Sequence, residues 1–236
     1  MSKASSTLSP TLLSNFKIGL IVSCQAEPND PLYGSIYMAA MARAAETGGA
    51  VAIRANGPED IAAIKNAVSI PVIGIYKDDI PGYNVRITPT LEHAKRIAEA
   101  GADLIAIDAT ARPRPGSESA SEFIKQVSKT IGRPVVADIS NLCEGLAAAK
   151  AGADVVATTL SGYTYNSQIH EEPDYNLIRD LASVVEIPLI AEGRIATPAQ
   201  AERAITQGAY AVVVGSAITR PQWITKRFVD HLGRIM

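Results

Sequence analysis

Short apolar runs alternate with longer amphipathic stretches along the chain, and two recurring phrases precede most of the apolar runs. In the first, a Gly-Ala pair ends a helical stretch, as in AGADLIAID from Ala100 and AGADVVATT from Ala151. In the second, a proline directly precedes the run, as in IPVIGIYK from Ile70 and IPLIAEGRI from Ile187. Glycine accommodates the left-handed conformation that ends many helices, and proline is tolerated at the first residue of a strand. Each phrase therefore predicts a helix end followed by a strand.

Eight strands are predicted when the run KIGLIVSCQ near the start of the chain is included. They span residues 18–24, 50–54, 71–77, 103–108, 134–138, 154–159, 188–192 and 211–214. Stretches with apolar residues at helical spacing follow them, at 35–46, 59–67, 90–100, 117–129, 141–151, 174–184, 198–207 and 221–232. In one of these, Thr197 can cap the helix while Pro198 occupies its first position.

The number and spacing of these units predict the fold. Eight strand–helix units in 236 residues average about 30 residues each, the size of a minimal (β/α)8 barrel. An open, doubly wound sheet is the alternative, but SCQAEPNDPLYG after the first strand lacks the G-x-G-x-x-G pattern typical of that fold. We therefore predict an α/β protein of the TIM-barrel class, with one domain over residues 16–236. Residues 1–15 have no apolar stretch and are predicted to be a flexible N-terminal extension rather than a signal peptide.

Composition and charge exclude several classes of protein. Hydrophobic residues make up 47% of the chain and charged residues 19%, which suits a globular domain with a sizeable core. The net charge of −2 gives no basic surface for nucleic acid. No apolar run approaches the roughly 20 residues that cross a bilayer, so no membrane association is predicted. Cys24 and Cys143 form no disulfide framework, which favours reduced thiols in a cytoplasmic protein.

Polar residues close nearly every predicted strand. In a TIM barrel the active site lies at the carboxyl ends of the strands, so these side chains are expected to meet in one mouth. Because burying so many polar groups is costly unless they pair or bind something, the set indicates a ligand site. Its members are Gln25, Arg54, Lys77, Asp108, Asp138, Thr158, Thr159 and Glu192.

The last two units indicate that the ligand carries a phosphate group. Gly193 follows strand seven, and Gly215, Ser216 and Arg220 follow strand eight. Many barrels bind phosphate here through backbone N–H groups and the N-terminus of a short extra helix. Glycine lets the backbone approach a ligand closely, and Arg220 can add a charge-assisted contact. The joint placement favours phosphate binding over simple chain turns.

Lys77 and Glu192 are the candidate proton carriers. They stand on strands three and seven, across the barrel from each other, and could address opposite faces of one bound carbon. A lysine close to Arg54 and partly desolvated has a lowered pKa, which suits a general base, and a carboxyl group in such a mouth can donate a proton. Two proton carriers on opposite faces are what an epimerisation requires. A Schiff-base aldolase could use the same lysine, so spacing alone does not decide between them.

No metal site is predicted. The aspartates near the strand ends are not accompanied by a histidine at ligand spacing. His93, His170 and His231 share no motif with a carboxylate or a cysteine, so packing or solvated roles are expected for them.

Seven segments in order resemble one known family. They are SCQA, AIRANG, IGIYKDD, VVADIS, TTLSGYT, IAEGRI and VVVGSAITRPQ, which together run from Ser23 to Gln222. This ordered set resembles the N-acetylmannosamine-6-phosphate 2-epimerases of sialic-acid catabolism. The N-terminal extension is not part of the resemblance.

The resemblance implies a cofactor-independent epimerase of the ribulose-phosphate-binding barrel group that inverts C2 of a sugar phosphate. It implies that Lys77 removes the C2 proton and that Glu192 returns a proton from the other face. Gln25, Arg54 and Asp138 match the substrate-contacting positions of the family, Arg220 matches its phosphate-side arginine, and the SGYT segment places Tyr163 over the mouth.

Other functions remain open on the residues alone. They are another reaction on a phosphate-binding barrel, such as a pentose-phosphate epimerase, a decarboxylase or a Schiff-base aldolase, and a sugar-phosphate sensor that has kept the barrel. A decarboxylase would be expected to carry an Asp-x-Lys-x-x-Asp motif, which the sequence lacks. A homodimer is possible through Trp223 and the Ala-rich helices, although packing against the barrel accounts for the same residues.

Overall fold

Eight parallel strands close into a barrel in sequence order, which confirms the predicted fold. The computed structural model describes residues 17–116, 119–169 and 171–233; the predicted extension at residues 1–15 and His170 lie outside them. Each strand pairs with the next, and the last pairs with the first. The strands are β1 (Gly19–Cys24), β2 (Ala52–Asn56), β3 (Val72–Ile75), β4 (Leu104–Asp108), β5 (Val135–Asp138), β6 (Val155–Ala157), β7 (Leu189–Glu192) and β8 (Ala211–Val214).

Helices follow the strands as the sequence pattern predicts. Thr197 accepts a hydrogen bond from the backbone N–H of Gln200, and Pro198 is the first residue of its helix. Gly152, from one of the Gly-Ala phrases, has a φ of 97° where its helix ends. The described helices are α1 (Ser35–Thr47), α2 (Pro58–Lys65), α3 (Leu91–Glu99), α4 (Ala120–Ile131), α5 (Leu142–Ala151), α6 (Tyr175–Ala182), α7 (Pro198–Thr206), α8 (Ser216–Thr219) and α9 (Pro221–Leu232).

Alternation along the strands divides the core into two parts. Side chains of successive strand residues point to opposite faces, so every second residue faces the barrel interior. One buried cluster fills that interior with small and branched residues, such as Ile73 on β3, Val136 on β5 and Ile190 on β7. The intervening residues pack against the surrounding helices in a second cluster. Two residues beyond Val136 and Ile190, on the same face, come Asp138 and Glu192, so the polar site forms the layer above the apolar interior.

Three predicted strand ends, those of β2, β3 and β6, are wrong by two residues. β2 runs from Ala52 to Asn56 because its ladder with β1 begins at the pair Ile21 and Ala52, so Arg54 lies within the strand. β3 ends at Ile75 rather than residue 77, and Lys77 lies two residues beyond it. The backbone N–H of Lys77 donates to Asn56 Oδ1, 2.8 Å away, instead of continuing the ladder.

Candidate active site

A cavity of about 620 Å³ opens at the carboxyl ends of the strands. It brings together most of the predicted site residues, which come from six different strands or the loops that follow them. Asp138 is not on its surface, because it is fully buried behind Arg54. The predicted residues that line the cavity are Gln25, Arg54, Lys77, Thr159, Tyr163, Glu192, Gly193, Gly215, Ser216 and Arg220.

Arg54 connects two carboxyl groups at the floor of this cavity. Its Nη2 lies 2.6 Å from Asp138 Oδ2 and its Nη1 lies 3.1 Å from Asp138 Oδ1, a bidentate pair. Nη1 also lies 3.3 Å from Glu192 Oε2. Arg54 and Asp138 are both almost completely buried, so the guanidinium offsets negative charge that water cannot reach.

Thr159 bridges the same two carboxyl groups. Its Oγ1 lies 2.6 Å from Asp138 Oδ1 and 3.1 Å from Glu192 Oε2. A hydroxyl group has one proton to donate. If Thr159 gives that proton to the nearer Asp138, its oxygen can accept a hydrogen bond from a protonated Glu192. The site is therefore able to hold Glu192 in either protonation state.

Burial favours the protonated form of Glu192. Desolvation raises the pKa of this carboxyl group and the charge of Asp138 raises it further, while Arg54, Thr159 and Lys77 oppose the rise. The net direction is upward, because removing a carboxylate from water outweighs the nearby positive charge here. Glu192 thus has the character of a proton donor that can also become a stabilised carboxylate.

Lys77 has the complementary character. Its ammonium group lies 3.5 Å from Glu27 Oε1, and its side chain is 25% exposed. Desolvation lowers the pKa of Lys77, Arg54 and Arg86 lower it further, and Glu27 and Glu192 oppose the fall. A lysine with a lowered pKa supplies more of the neutral amine, which is the form that accepts a proton.

The barrel places these two groups on opposite sides of the cavity. Lys77 follows β3 and Glu192 ends β7, which are four strands apart in a closed barrel of eight. Both side chains line the same cavity. A molecule held between them would have a proton acceptor on one side and a proton donor on the other.

The loops after β7 and β8 form the other end of the cavity. Gly193 has a φ of 114°, a conformation that favours glycine. Gly215 precedes α8, and Thr219 Oγ1 at the end of this short helix donates to the carbonyl of Ser23 on β1 at 3.0 Å. The first N–H groups of a helix have no partner within it, so the start of α8 supplies donors next to the cavity. Arg220 follows, with Nη2 3.3 Å from Asp30 Oδ2.

Gln25 and Tyr163 also line the wall of the cavity. Gln25 Nε2 donates to Ser23 Oγ at 2.8 Å, and Gln25 Oε1 is buried without a hydrogen-bond partner among the described residues. A buried acceptor of this kind is costly unless a ligand satisfies it. Tyr163 is 58% exposed at the mouth, and the guanidinium carbon of Arg194 lies 4.3 Å from the centre of its ring.

Comparison with known proteins matches residues 38–234 to the family described as "Putative N-acetylmannosamine-6-phosphate epimerase". The chain belongs to this family. Among curated relatives, the epimerase-family protein of Caldanaerobacter subterraneus subsp. tengcongensis is 55% identical over 222 residues, 94% of each chain. That of Enterobacter sp. strain 638 is 49% identical and covers 93% of this chain and 94% of its own. Both carry the description "Putative N-acetylmannosamine-6-phosphate 2-epimerase".

Solved structures agree with this family assignment. The N-acetylmannosamine-6-phosphate 2-epimerase from Clostridium perfringens superposes with a TM-score of 0.89 at 44% identity, over 97% of this chain and 99% of that one. A thiamine phosphate pyrophosphorylase from Pyrococcus furiosus superposes with a TM-score of 0.59 at 17% identity, over 90% and 91% of the two chains. The second likeness concerns the barrel fold alone.

Sequence reasoning placed Asp108, Asp138 and Thr158 in the mouth of this epimerase-family protein, but none of the three lines the cavity. It also left other residues out of the site. Asp108, expected in the mouth, does not line the cavity, because Thr110 and Arg112 donate to its carboxylate at 2.7 and 2.5 Å. Glu27 and Arg194 were not singled out. The signal for Arg194 was its position in the EGRI segment, whereas Glu27 lies in an irregular loop with no pattern to mark it.

The remaining polar clusters do not add a metal site. In residues 17–116, 119–169 and 171–233, no three His, Cys, Asp or Glu side chains are grouped so that they could hold a metal ion. His93 lies on α3, where its ring nitrogens contact Thr90 Oγ1 at 2.6 Å and Asp78 Oδ2 at 3.1 Å. Across the same described ranges, the helices are too short or too polar to cross a bilayer.

Proposed function

We propose that this protein interconverts N-acetylmannosamine 6-phosphate and N-acetylglucosamine 6-phosphate by removing the proton from C2 and returning a proton to the opposite face. The observation that carries the mechanism is the placement of Lys77 and Glu192 on opposite sides of one cavity, with pKa values shifted in opposite directions. Membership in the epimerase family supports the same reaction and the sugar-phosphate substrate.

The chemistry begins with the open-chain form of the sugar. The C2 proton is acidic only when C1 is an aldehyde, because the resulting carbanion then delocalises onto the C1 oxygen as an enolate. Arg54 and Gln25 line the cavity and are proposed to stabilise that developing negative charge. Arg54 Nε is a buried donor with no partner among the described residues, which supports this role.

The two proton carriers exchange states during the reaction. In one direction neutral Lys77 accepts the C2 proton and becomes an ammonium group, while protonated Glu192 delivers its proton to the other face. The product state then has an ammonium beside Glu27 and a carboxylate beside Arg54 and Thr159, so each new charge has a partner. The reverse reaction starts from that state with the roles exchanged.

The phosphate group is proposed to bind between the loops after β7 and β8. Gly193, Gly215 and Ser216 would supply backbone N–H groups, and Arg220 a charge-assisted contact. This arrangement would place the sugar carbons between Lys77 and Glu192 at the other end of the cavity.

Replacing Arg220 by glutamine tests the phosphate site. We expect KM to rise by about 10- to 100-fold with little change in kcat, because a contact made equally in the ground state and transition state affects binding alone. Arg179→Gln, on the exposed side of α6, is the matched control and should leave both constants unchanged. A fall in kcat with unchanged KM would place Arg220 outside phosphate binding.

Proton NMR of N-acetylmannosamine 6-phosphate with the protein in D₂O tests the reaction itself. We expect deuterium to appear at C2 together with the gluco epimer, because the proton returned to the opposite face comes from a group that exchanges with solvent. Phosphate binding without exchange would overturn the epimerase and favour a sugar-phosphate sensor. A stable adduct on Lys77 after borohydride treatment with substrate would instead favour a Schiff-base aldolase.

Three further predictions come from the sequence, and the structure does not test them. They are cofactor-independent chemistry, a cytoplasmic location and assembly as a homodimer.

A further inference from the structure

Lys77 lies outside the barrel ladder and is held by its own loop and by a side chain of β2. β3 ends at Ile75, and residues 76–90 leave the barrel and return to it before α3 begins. Lys77 and Ile87 form an isolated antiparallel bridge where the two arms of this loop pass each other. The backbone beside Lys77 therefore depends on contacts from within this loop and from its neighbours.

Thr88 makes the most extensive of these contacts. Its backbone N–H donates to the carbonyl of Tyr76 at 2.8 Å, and its Oγ1 accepts from the backbone N–H of Tyr76 at 3.1 Å. The same hydroxyl donates to the carbonyl of Ala106 on β4 at 2.7 Å. Both backbone polar groups of the residue before Lys77 are thus fixed by Thr88, which is itself tied to the next strand.

The backbone of Thr88 is in a costly conformation. Its φ is 48°, and it is a β-branched residue that is completely buried. Threonine rarely adopts a positive φ, because its branched side chain then crowds the backbone, and such a residue is strained. Glycine would avoid that cost but would lack the hydroxyl group. Strain retained at such a position points to a role for the side chain.

We propose that Thr88 is a positioning residue for the epimerisation, whose hydroxyl fixes the main chain at Tyr76 and thereby sets where the amine of Lys77 lies in the cavity. The inference rests on the proposed function of Lys77. Thr88 touches neither the cavity nor a reacting atom, so it acts only through the placement of Lys77.

Three variants separate this role from a purely structural one. Thr88→Val keeps the branched shape but removes the hydroxyl, and we expect kcat to fall by about 10- to 100-fold, since a displacement of about 1 Å can have that effect. KM should change much less, because the phosphate contacts remain. Thr88→Ser retains the hydroxyl and should restore kcat to near the wild-type value.

Thr90→Val is the matched control. Thr90 lies two residues further on, and its hydroxyl caps α3 by accepting from the backbone N–H of His93 at 3.4 Å. Losing this cap should lower thermal stability without lowering kcat. If Thr90→Val and Thr88→Val reduced kcat equally, general destabilisation would explain both and the proposal would be wrong.

Hydrogen exchange gives a readout that does not depend on activity. The amide of Tyr76 should exchange faster in Thr88→Val than in the wild type and Thr88→Ser. Unchanged exchange, or a folded Thr88→Val with wild-type kcat, would overturn the inference. If Thr88→Val does not fold, Thr88→Gly suits the φ and lacks the hydroxyl, so the same loss of kcat is expected. A wild-type protein without epimerase activity would overturn the proposed function instead, and the exchange result would still decide whether Thr88 fixes Tyr76.

Discussion

Replacing Lys77 by methionine is expected to lower kcat by about 1000-fold or more while leaving the protein folded. Methionine preserves much of the length and the apolar stem but cannot accept a proton, and general base catalysis contributes about 10²- to 10⁴-fold. The fold should tolerate the change, because desolvation already disfavours the ammonium form of Lys77 and lowers its pKa. Deuterium incorporation at C2 and thermal unfolding, measured on the same preparation, report the two effects separately.

Lys125→Met is the control for this substitution. Lys125 lies on the exposed side of α4 and does not line the cavity, so both activity and stability should remain at the wild-type level. A Lys77→Met protein that keeps a tenth or more of the wild-type kcat would rule out Lys77 as the base. A protein that unfolds would show that Lys77 serves the structure, contrary to the proposal.

The repeated pattern of the sequence predicts the barrel because each repeat carries its own local signals. The Gly-Ala and proline phrases mark helix ends and strand starts. Eight units of about 30 residues match a closed barrel, and the missing G-x-G-x-x-G pattern argues against the open, doubly wound sheet. The same regularity explains why Glu192 and Asp138 could be placed in advance. Each ends an apolar strand at the alternation that points inward, so the local sequence predicts that its side chain faces the barrel interior.

The parts of the site that could not be predicted depend on contacts between distant segments. Lys77 lies beyond the end of β3, where Asn56 from β2 accepts from its backbone N–H and Thr88 from the returning loop fixes the residue before it. The side chain of Asp108 also points inward, but its carboxylate forms an ion pair with Arg112, four residues later, and does not line the cavity. No periodic pattern encodes such contacts, because they depend on where irregular loops lie after the barrel has closed.

Removing Arg54 is expected to have the largest effect on stability. Arg54→Met leaves the buried Asp138 and the partly buried Glu192 without their cation, and breaking a buried ion pair such as that with Asp138 costs about 3–5 kcal/mol in the free energy of unfolding. Epimerase activity should be lost as well, because the proposed stabiliser of the enolate is absent. Urea unfolding of the variant and the wild type at pH 8 measures the stability difference.

The pH dependence of the stability difference between Arg54→Met and the wild type shows whether uncompensated charge is its cause. Burial already raises the pKa of Glu192 while Arg54 opposes the rise, so removing Arg54 should raise this pKa further. A carboxyl group whose pKa is higher in the folded than in the unfolded protein favours folding at low pH and loses that contribution as pH rises through the folded value. The stability deficit of Arg54→Met should therefore be smaller at about pH 5 than at pH 8, since the unfolded pKa is near 4.3.

A second substitution separates uncompensated charge from lost packing. Asp138→Asn in the Arg54→Met background removes the fully buried carboxylate and keeps its shape, so part of the lost stability should return at pH 8. Activity should not return, because neither the introduced amide nor the introduced thioether can replace the guanidinium of Arg54. If the double variant were no more stable than Arg54→Met and the deficit were the same at both pH values, the packing of the Arg54 side chain rather than its charge would account for its effect on stability.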